Sequence, residues 1–255
     1  MIFGSRILLA LVILLCCPTP FPRAQTLVES PSQGAPLTAE QVVAKLAEMN
    51  RERALALREF AGLRVYRLQY QGLGGAKEAV MKVQMNFHAP ATKSFTVTSQ
   101  DGSKAVIEHV FKKLLEAEQE ALDEENLRGS ALTVENYEFT LLGSEKTEQG
   151  EAYVLYVKPR TRSKFLYQGK IWVSTTDFAV TQLEATPAKS PSFWVKKTQI
   201  EHRYMKVGGF WLPARNRTES QIRFGGHAVL VVDYTDYKIV SAAPLGSSDQ
   251  AGIAW

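Results

Sequence analysis

The sequence carries few residues whose types and spacing could support catalysis or metal binding. Its four histidines are His88, His109, His202 and His227, and no two of them have the spacing of a metal motif such as H-x-x-x-H. We expect two of them on strand faces, His109 on the polar side of a helix and His227 beside a turn, all as isolated surface side chains. No metal site is predicted.

Three other patterns that could do chemistry also lack what the chemistry needs. Asp233 and Asp236 are three residues apart in a predicted strand, which places them on opposite faces and argues against a carboxylate dyad. The Gly-rich segment 72–75 is not followed by a helix, as a dinucleotide-binding loop would be. No G-x-S-x-G motif is present. We therefore predict no catalytic residue and no cofactor, and a protein that is not an enzyme.

Residues 1–24 have the layout of a secretory signal peptide, with Arg6, an apolar run over 7–17, prolines and then Ala24. The apolar run is too short to cross a bilayer, which takes about 20 residues. We expect cleavage after Ala24 and a periplasmic protein. Lipid attachment at Cys17, which would give outer-membrane anchoring, is the less favoured alternative because the residues before it form a poor lipobox.

Removing residues 1–24 would leave a mature chain without cysteine, since Cys16 and Cys17 both lie in that segment. Such a chain has no disulfide and no cysteine nucleophile. Its formal net charge would be +2 instead of +4, because Arg6 and Arg23 leave without any acid. This mild basic excess does not call for nucleic acid, and we predict no nucleic-acid partner.

Composition predicts one folded domain with loose ends. Residues 25–36 are rich in Pro, Ser and Gln and are expected to form a flexible tether. Residues 37–240 are predicted to be the domain, and residues 241–255 a loose C-terminal tail.

Two segments show helical periodicity. The first, 37–60, opens on Thr38 with Gln41 three residues later, which is the pattern of a capping box. The second, 102–126, carries a broad apolar stripe that includes Phe111 and Leu114. Both are predicted to be amphipathic helices.

The rest of the chain alternates with the period of strands and is punctuated by glycine. The pairs at 208–209 and 225–226 bracket one long strand, and further turns separate ten strands in all, predicted to form an antiparallel meander. The predicted fold class is α+β, mainly β: a curved antiparallel sheet, an unclosed half-barrel, with a lid of amphipathic helices.

The apolar faces of these strands allow two interpretations. Periodicity alone favours a packed helix-on-sheet core, whereas the length of the strands favours a wall around a ligand. For the second case, the predicted wall of an apolar cavity consists of Met81, Met85, Phe95, Ile200, Leu212, Ile222 and Phe224.

Several segments resemble the outer-membrane lipoprotein-sorting proteins of the LolA/LolB-like superfamily, which also includes RseB-type periplasmic sensors. They are ENYEFTLLG, YVLYVKPR, KIWVSTTDFAVTQLEATPAKSPSFW, YMKVGGFWLPARNRTES and DYTDYKI, and the resemblance covers most of 37–239. It implies a half-barrel with a helical lid and an apolar cavity for acyl chains. It identifies no particular cation, and Arg64 and Arg67 on the first strand are expected to be solvated.

The expected function is a non-enzymatic binder or carrier of lipoprotein or another acylated molecule, with outer-membrane lipoprotein sorting as one setting. Its predicted partners are the acyl chain of a lipoprotein or lipid and a membrane or envelope protein, and a monomer is expected. The alternatives are an envelope-stress sensor or protein-interaction module of the same fold and, less favoured, an enzyme acting on an apolar substrate.

Overall fold

The structure is a computed structural model of the 255-residue chain, and it describes residues 37–72, 74–190, 193, 195–223 and 225–245. The predicted signal peptide (1–24) with Cys17, the predicted tether (25–36) and Phe224 lie outside the described residues, as does most of the predicted tail. The domain boundaries stay predictions. No described helix is long and apolar enough to span a bilayer.

Ten antiparallel strands form a single sheet with two free edges. They are β1 (Leu57–Gly72), β2 (Lys77–His88), β3 (Thr92–Gly102), β4 (Tyr137–Thr147), β5 (Gly150–Pro159), β6 (Tyr167–Ser174), β7 (Val180–Pro187), β8 (Val195–Val207), β9 (Phe210–Ile222) and β10 (Gly226–Ala242). Their order is β3-β2-β1-β10-β9-β8-β7-β6-β5-β4. The unclosed antiparallel sheet of ten strands is confirmed, and consecutive strands are neighbours within β1–β3 and within β4–β10. These two meanders are joined by the pairing of β1 with β10, so β3 and β4 lie at opposite edges.

The glycine pairs turn the hairpins as expected. Gly74 and Gly75 follow β1, and Gly208 and Gly209 join β8 to β9, all four with positive φ. That conformation costs glycine little, because it has no Cβ.

The helices are α1 (Ala39–Ala56), α2 (Lys104–Val106), a π-helical turn (Ile107–Phe111), α3 (Lys112–Glu120) and α4 (Glu124–Ser130). Residues 104–120 run on without a break and are called the lid helix below. Thr38 caps α1 with the predicted capping box. The hydroxyl of Thr38 accepts a hydrogen bond from the backbone N–H of Gln41, and the backbone N–H of Thr38 donates to the side-chain Oε1 of Gln41.

Both predicted helices were too long. The first ends at Ala56, and Leu57 and Phe60 belong to β1, because their backbone pairs with β10. The second ends at Glu120, and α4 is a separate helix. In each case the local spacing of apolar residues was compatible with a longer helix. Contacts with residues distant in the sequence set the observed end of the helix instead.

One face of the sheet is mainly apolar. Residues paired directly on neighbouring antiparallel strands point to the same face. A single row of such pairs therefore crosses all ten strands: Gln100, Met81, Tyr66, Val232, Asn216, His202, Leu183, Ile171, Leu155 and Leu141. We call this the covered face.

Two helices cover different halves of this face. Val42 and Leu46 of α1 are fully buried against side chains of β4–β8. Phe111 and Leu114 of the lid helix pack against β1, β2 and β10. Between the two halves, Leu57 and Phe60 pack with Met85 and Leu212 in a third apolar cluster. The main core is thus one layer of side chains between the sheet and its helices, and a smaller buried cluster of Ala152, Val154 and Trp172 lies apart from it.

Candidate functional site

A cavity of about 150 Å³ opens on the covered face beside α1. It is bounded by the second half of α1, the end of α4, the segment 164–167 and strands β7, β8 and β9. Its walls are mainly apolar and include Leu183, Ile200, Phe210 and Leu212.

The strand pairing is sparse at this place. Strand β8 pairs with β9 at twelve positions but with β7 at only four, from Gln182 to Ala185. Ile200, His202 and Tyr204 alternate along β8 and all line the cavity.

His202 is the most unusual polar group in the wall. It is 4% exposed, and its Nδ1 has no hydrogen-bond partner among the described residues. Burial lowers the pKa of its imidazole from 6.5 to about 4, so the ring is neutral at neutral pH. The prediction of a surface histidine was wrong, because β8 directs this position into the row that the helices cover.

Two cations line the cavity, and none of its lining residues is an Asp or Glu. Arg53 of α1 donates to the backbone carbonyls of Asp177 and Phe178 at 2.8 Å each, and to the side chain of Asn50. Lys164 pairs with Glu120, the last residue of α3, with 2.7 Å between Nζ and Oε1. Lys164 therefore joins the cavity wall to the end of the lid helix.

The two aromatic hydroxyls in the wall are not engaged by the protein. Within the part of the chain that the structure describes, the side-chain hydroxyls of Tyr167 and Tyr204 have no hydrogen-bond partner. Burial raises the pKa of both hydroxyls above the ordinary value of tyrosine, and that of Tyr167 well above it. They stay protonated and can donate a hydrogen bond.

A buried ionic cluster holds the lid helix to the sheet. Glu118 on α3 is 1% exposed and accepts from both terminal nitrogens of Arg64 on β1, at 2.5 and 3.0 Å. Lys93 on β3 donates to the same carboxylate at 2.7 Å. The guanidinium of Arg64 also stacks on Phe95 and Tyr234. One carboxylate thus connects the lid helix to two strands.

Glu118 and Arg64 are both ionised in this cluster. Burial alone would raise the pKa of Glu118, but Lys93 and Arg64 outweigh burial and hold it below its ordinary value. Burial likewise opposes the charge of Arg64, and the Glu118 carboxylate raises the pKa of Arg64 well above its usual range. The cluster carries an excess positive charge, and the Nε of Arg64 has no partner among the described residues.

This cluster was not predicted from the sequence. Arg64 was expected at the surface, which is wrong since the residue is 4% exposed, and neither Glu118 nor Lys93 was expected to be buried. Two signals were available. Arg64 alternates with the buried Tyr66 and Leu68, and Glu118 follows Leu114 by four residues on the apolar side of the helix.

The predicted cavity wall is divided by the structure. Ile200 and Leu212 line the cavity. Met81 is fully buried under the lid helix, and Met85 packs in the cluster between the two halves of the sheet. Phe95 lies half-buried beside Arg64, Ile222 lies half-buried at the end of β9, and Phe224 is outside the described residues. Their role in ligand binding stays a prediction.

The described residues contain no group of three His, Cys, Asp or Glu side chains placed to hold a metal ion. Asp233, considered above as half of a dyad, is engaged with Arg67 and Arg215 on neighbouring strands. What the site offers is an apolar surface, hydrogen-bond donors and positive charge. These features suit the binding of an amphiphile.

A protein family described as a family of unknown function, DUF5686, matches residues 130–237. No curated protein matches the chain.

Three solved structures are similar to the chain at low sequence identity. A DUF1329 family protein from Desulfovibrio piger is 12% identical, with a TM-score of 0.41 over 81% of this chain and 95% of that one. A putative outer membrane lipoprotein-sorting protein domain from Vibrio parahaemolyticus is 12% identical, with a TM-score of 0.39 over 81% and 95%. A LolA superfamily protein from Nitrosomonas europaea is 14% identical, with a TM-score of 0.34 over 82% and 96%. The last two are of the kind that the sequence resembles.

Proposed function

We propose that this protein is an exported, non-enzymatic binder of acylated molecules, which takes an acyl chain into the cavity beside α1. The observation that carries the proposal is the mainly apolar cavity on the covered face, with Ile200 and Leu212 in its wall. Export rests on the pattern of residues 1–24, and the resemblance of the sequence to the lipoprotein-sorting proteins supports an acylated ligand.

Burial of methylene groups supplies the affinity in this proposal. Each buried CH₂ contributes about 0.8 kcal/mol, so even six carbons offer about 5 kcal/mol before the costs of binding. The cavity of about 150 Å³ is smaller than typical ligand pockets of about 300–1,000 Å³. A longer chain therefore requires a helical cover to move.

Of the two helical covers, the lid helix is the one that we propose to move. Its polar attachments are the Glu118 cluster and the pair between Glu120 and Lys164. Its apolar side lies on β1, β2 and β10, next to the cluster that contains Leu212. Displacing it would extend the cavity along the covered face, and closing it would shield the bound chain from water.

A second candidate is a protein-interaction module, which would include an envelope-stress sensor. The observation that favours it is that the edge strands β3 and β4 expose Val97 (41%) and Leu142 (53%). An unpaired edge can accept a strand from a partner. Photocrosslinking from position 142 in cells would capture a partner bound there, and the absence of any adduct would remove this candidate.

Native mass spectrometry of protein purified from cell envelopes tests the main proposal. We expect an adduct with the mass of a lipid or an acylated peptide, which is lost when the protein is unfolded. Protein that retains no adduct, and acquires none after incubation with an envelope lipid extract, would contradict acyl binding.

A further inference from the structure

The residues that line the cavity include two cations, Arg53 and Lys164, and no acid. This excess of positive charge in the wall bears on the head group of the ligand. We propose that the cavity selects acyl ligands with an anionic head group, a carboxylate or a phosphate, which binds Lys164 by displacing Glu120. This inference rests on the proposed function and adds the chemistry of the polar end.

Lys164 lies at the border between the apolar cavity and the solvent. Its side chain is 30% exposed, it lines the cavity, and its Nζ lies 4.6 Å from the ring centroid of Phe165. An acyl chain packed against the apolar wall would therefore hold its polar end close to a cation. A desolvated cation–anion hydrogen bond is stronger than a neutral one.

Arg53 reinforces the positive character of the wall. It is only 9% exposed, and its hydrogen bonds go to two backbone carbonyls and to the amide of Asn50, which are neutral acceptors. Two acids, Asp177 and Glu52, act on Arg53 through space without a hydrogen bond to it, and Asp177 directs its carboxylate to Lys206 and Trp211. The hydroxyls of Tyr167 and Tyr204 add donors and no negative charge.

Glu120 is the group that an incoming anion must replace. It holds Lys164 from outside the cavity wall and is itself 34% exposed, so its carboxylate can return to water at little cost. It is also the last residue of α3. Exchange of Glu120 for the ligand would therefore remove one attachment of the end of the lid helix, while Asn126 still donates to the backbone carbonyl of Glu120.

Competition with a fluorescent fatty acid on the purified full chain tests this inference. The competitors share a twelve-carbon chain and differ in the head group: dodecanoate, dodecyl phosphate, dodecanol and dodecyltrimethylammonium, all below micelle formation. We expect the two anions to bind about tenfold more tightly than the alcohol, as one charge-assisted hydrogen bond would give. Inorganic phosphate alone should not compete.

Variants at the two ends of the ion pair should act in opposite directions. Lys164→Gln should remove the preference for the anions over dodecanol, and Lys164→Arg should keep it. Glu120→Gln should strengthen binding of the anions about threefold or more, because the competing carboxylate is gone. Lys158→Gln is the matched control, since Lys158 is exposed, pairs with Glu138 and does not line the cavity.

Equal affinity for dodecanoate and dodecanol in the wild-type protein would overturn the inference and leave acyl binding intact. So would Lys164→Gln and Glu120→Gln variants that weaken anion binding alike, since a purely structural ion pair behaves in that way. If no twelve-carbon ligand competes and the fluorescent acid does not bind, the proposed function itself fails.

Discussion

Glu118 is the residue on which the attachment of the lid helix depends most directly. Among the described residues, its carboxylate is the only acid of a buried cluster that also holds Arg64 and Lys93. Removing the negative charge leaves two cations in a region of low polarity, which costs far more than the loss of a surface ion pair.

We predict that Glu118→Gln lowers the free energy of unfolding by about 3–5 kcal/mol, as expected when one partner of a buried ion pair is removed. Urea unfolding followed by circular dichroism would measure the change. Glu116→Gln on the exposed side of the same helix is the control and should change stability by less than about 0.5 kcal/mol. Equal effects of the two substitutions would show that the cluster does not hold the lid.

His202 gives a pH dependence that can be assigned to one residue. The folded protein holds its pKa near 4, whereas the unfolded chain has the ordinary value of 6.5. Between these values the unfolded chain binds more protons, so stability is full above about pH 6.5 and falls as the pH drops towards 4.

We predict that the wild-type protein loses about 2 kcal/mol more stability between pH 7 and pH 5 than the His202→Leu variant does. The variant keeps a buried side chain of similar size and has no proton to bind at this position. Urea unfolding of both proteins at the two pH values provides the comparison. Parallel losses would mean that His202 is not buried as a neutral group.

The ionic cluster could not be predicted from the sequence at the level of single residues. The periodicity of the sequence does not decide whether Arg64 and Glu118 are buried. A charged residue on the apolar side of a strand or helix usually lies at the border of that side and is exposed. They are buried because α3 packs on β1, which brings Arg64 and Glu118 together although they are 54 residues apart in the sequence. No local pattern contains that information.

At the level of elements, the lid helix is held by packing as well as by charge. Leu114 is 1% exposed and lies in the cluster formed with Phe111, Met81 and Val83. The prediction that the stripe of this helix docks on the apolar face of the sheet is confirmed.

We predict that Leu114→Asp destabilises the protein by about 4 kcal/mol or more, since an unpaired charge would be buried in an apolar cluster. Differential scanning calorimetry would show a much lower unfolding temperature. Gln119→Asp introduces the same charge at an exposed position of the same helix and should leave the unfolding temperature nearly unchanged. A Leu114→Asp variant that unfolds like the wild type would mean that the lid is not docked.

The strands were easier to predict than the ends of the helices. Period-two alternation and glycine turns gave all ten strands within a few residues. The boundary between α1 and β1 carries neither glycine nor proline, so nothing in the sequence marks it, and the pairing of Leu57 with Ala242 sets it. The cavity was also beyond the sequence, because a face that is packed and a face that is partly open have the same periodicity.

At the scale of the whole molecule, the long strands serve to carry two covers on one face. Strands β1 and β10 are 16 and 17 residues long and pair with each other as the third and fourth strands of the sheet. The lid helix lies on β1, β2 and β10, α1 lies on β4–β8, and the cavity lies beside α1. Both covers therefore lie on the face that carries the cavity.

The most direct test of acyl binding is a titration of the purified protein with a fluorescent fatty acid. We predict saturable binding at one site. Leu212→Gln, a change in the cavity wall, should weaken it about tenfold through lost apolar contact, whereas Leu142→Gln at an exposed position of β4 should not. Circular dichroism would confirm that both variants are folded. A signal that rises without saturating, or equal binding by wild-type protein and a folded Leu212→Gln variant, would contradict the assignment of the cavity as an acyl site.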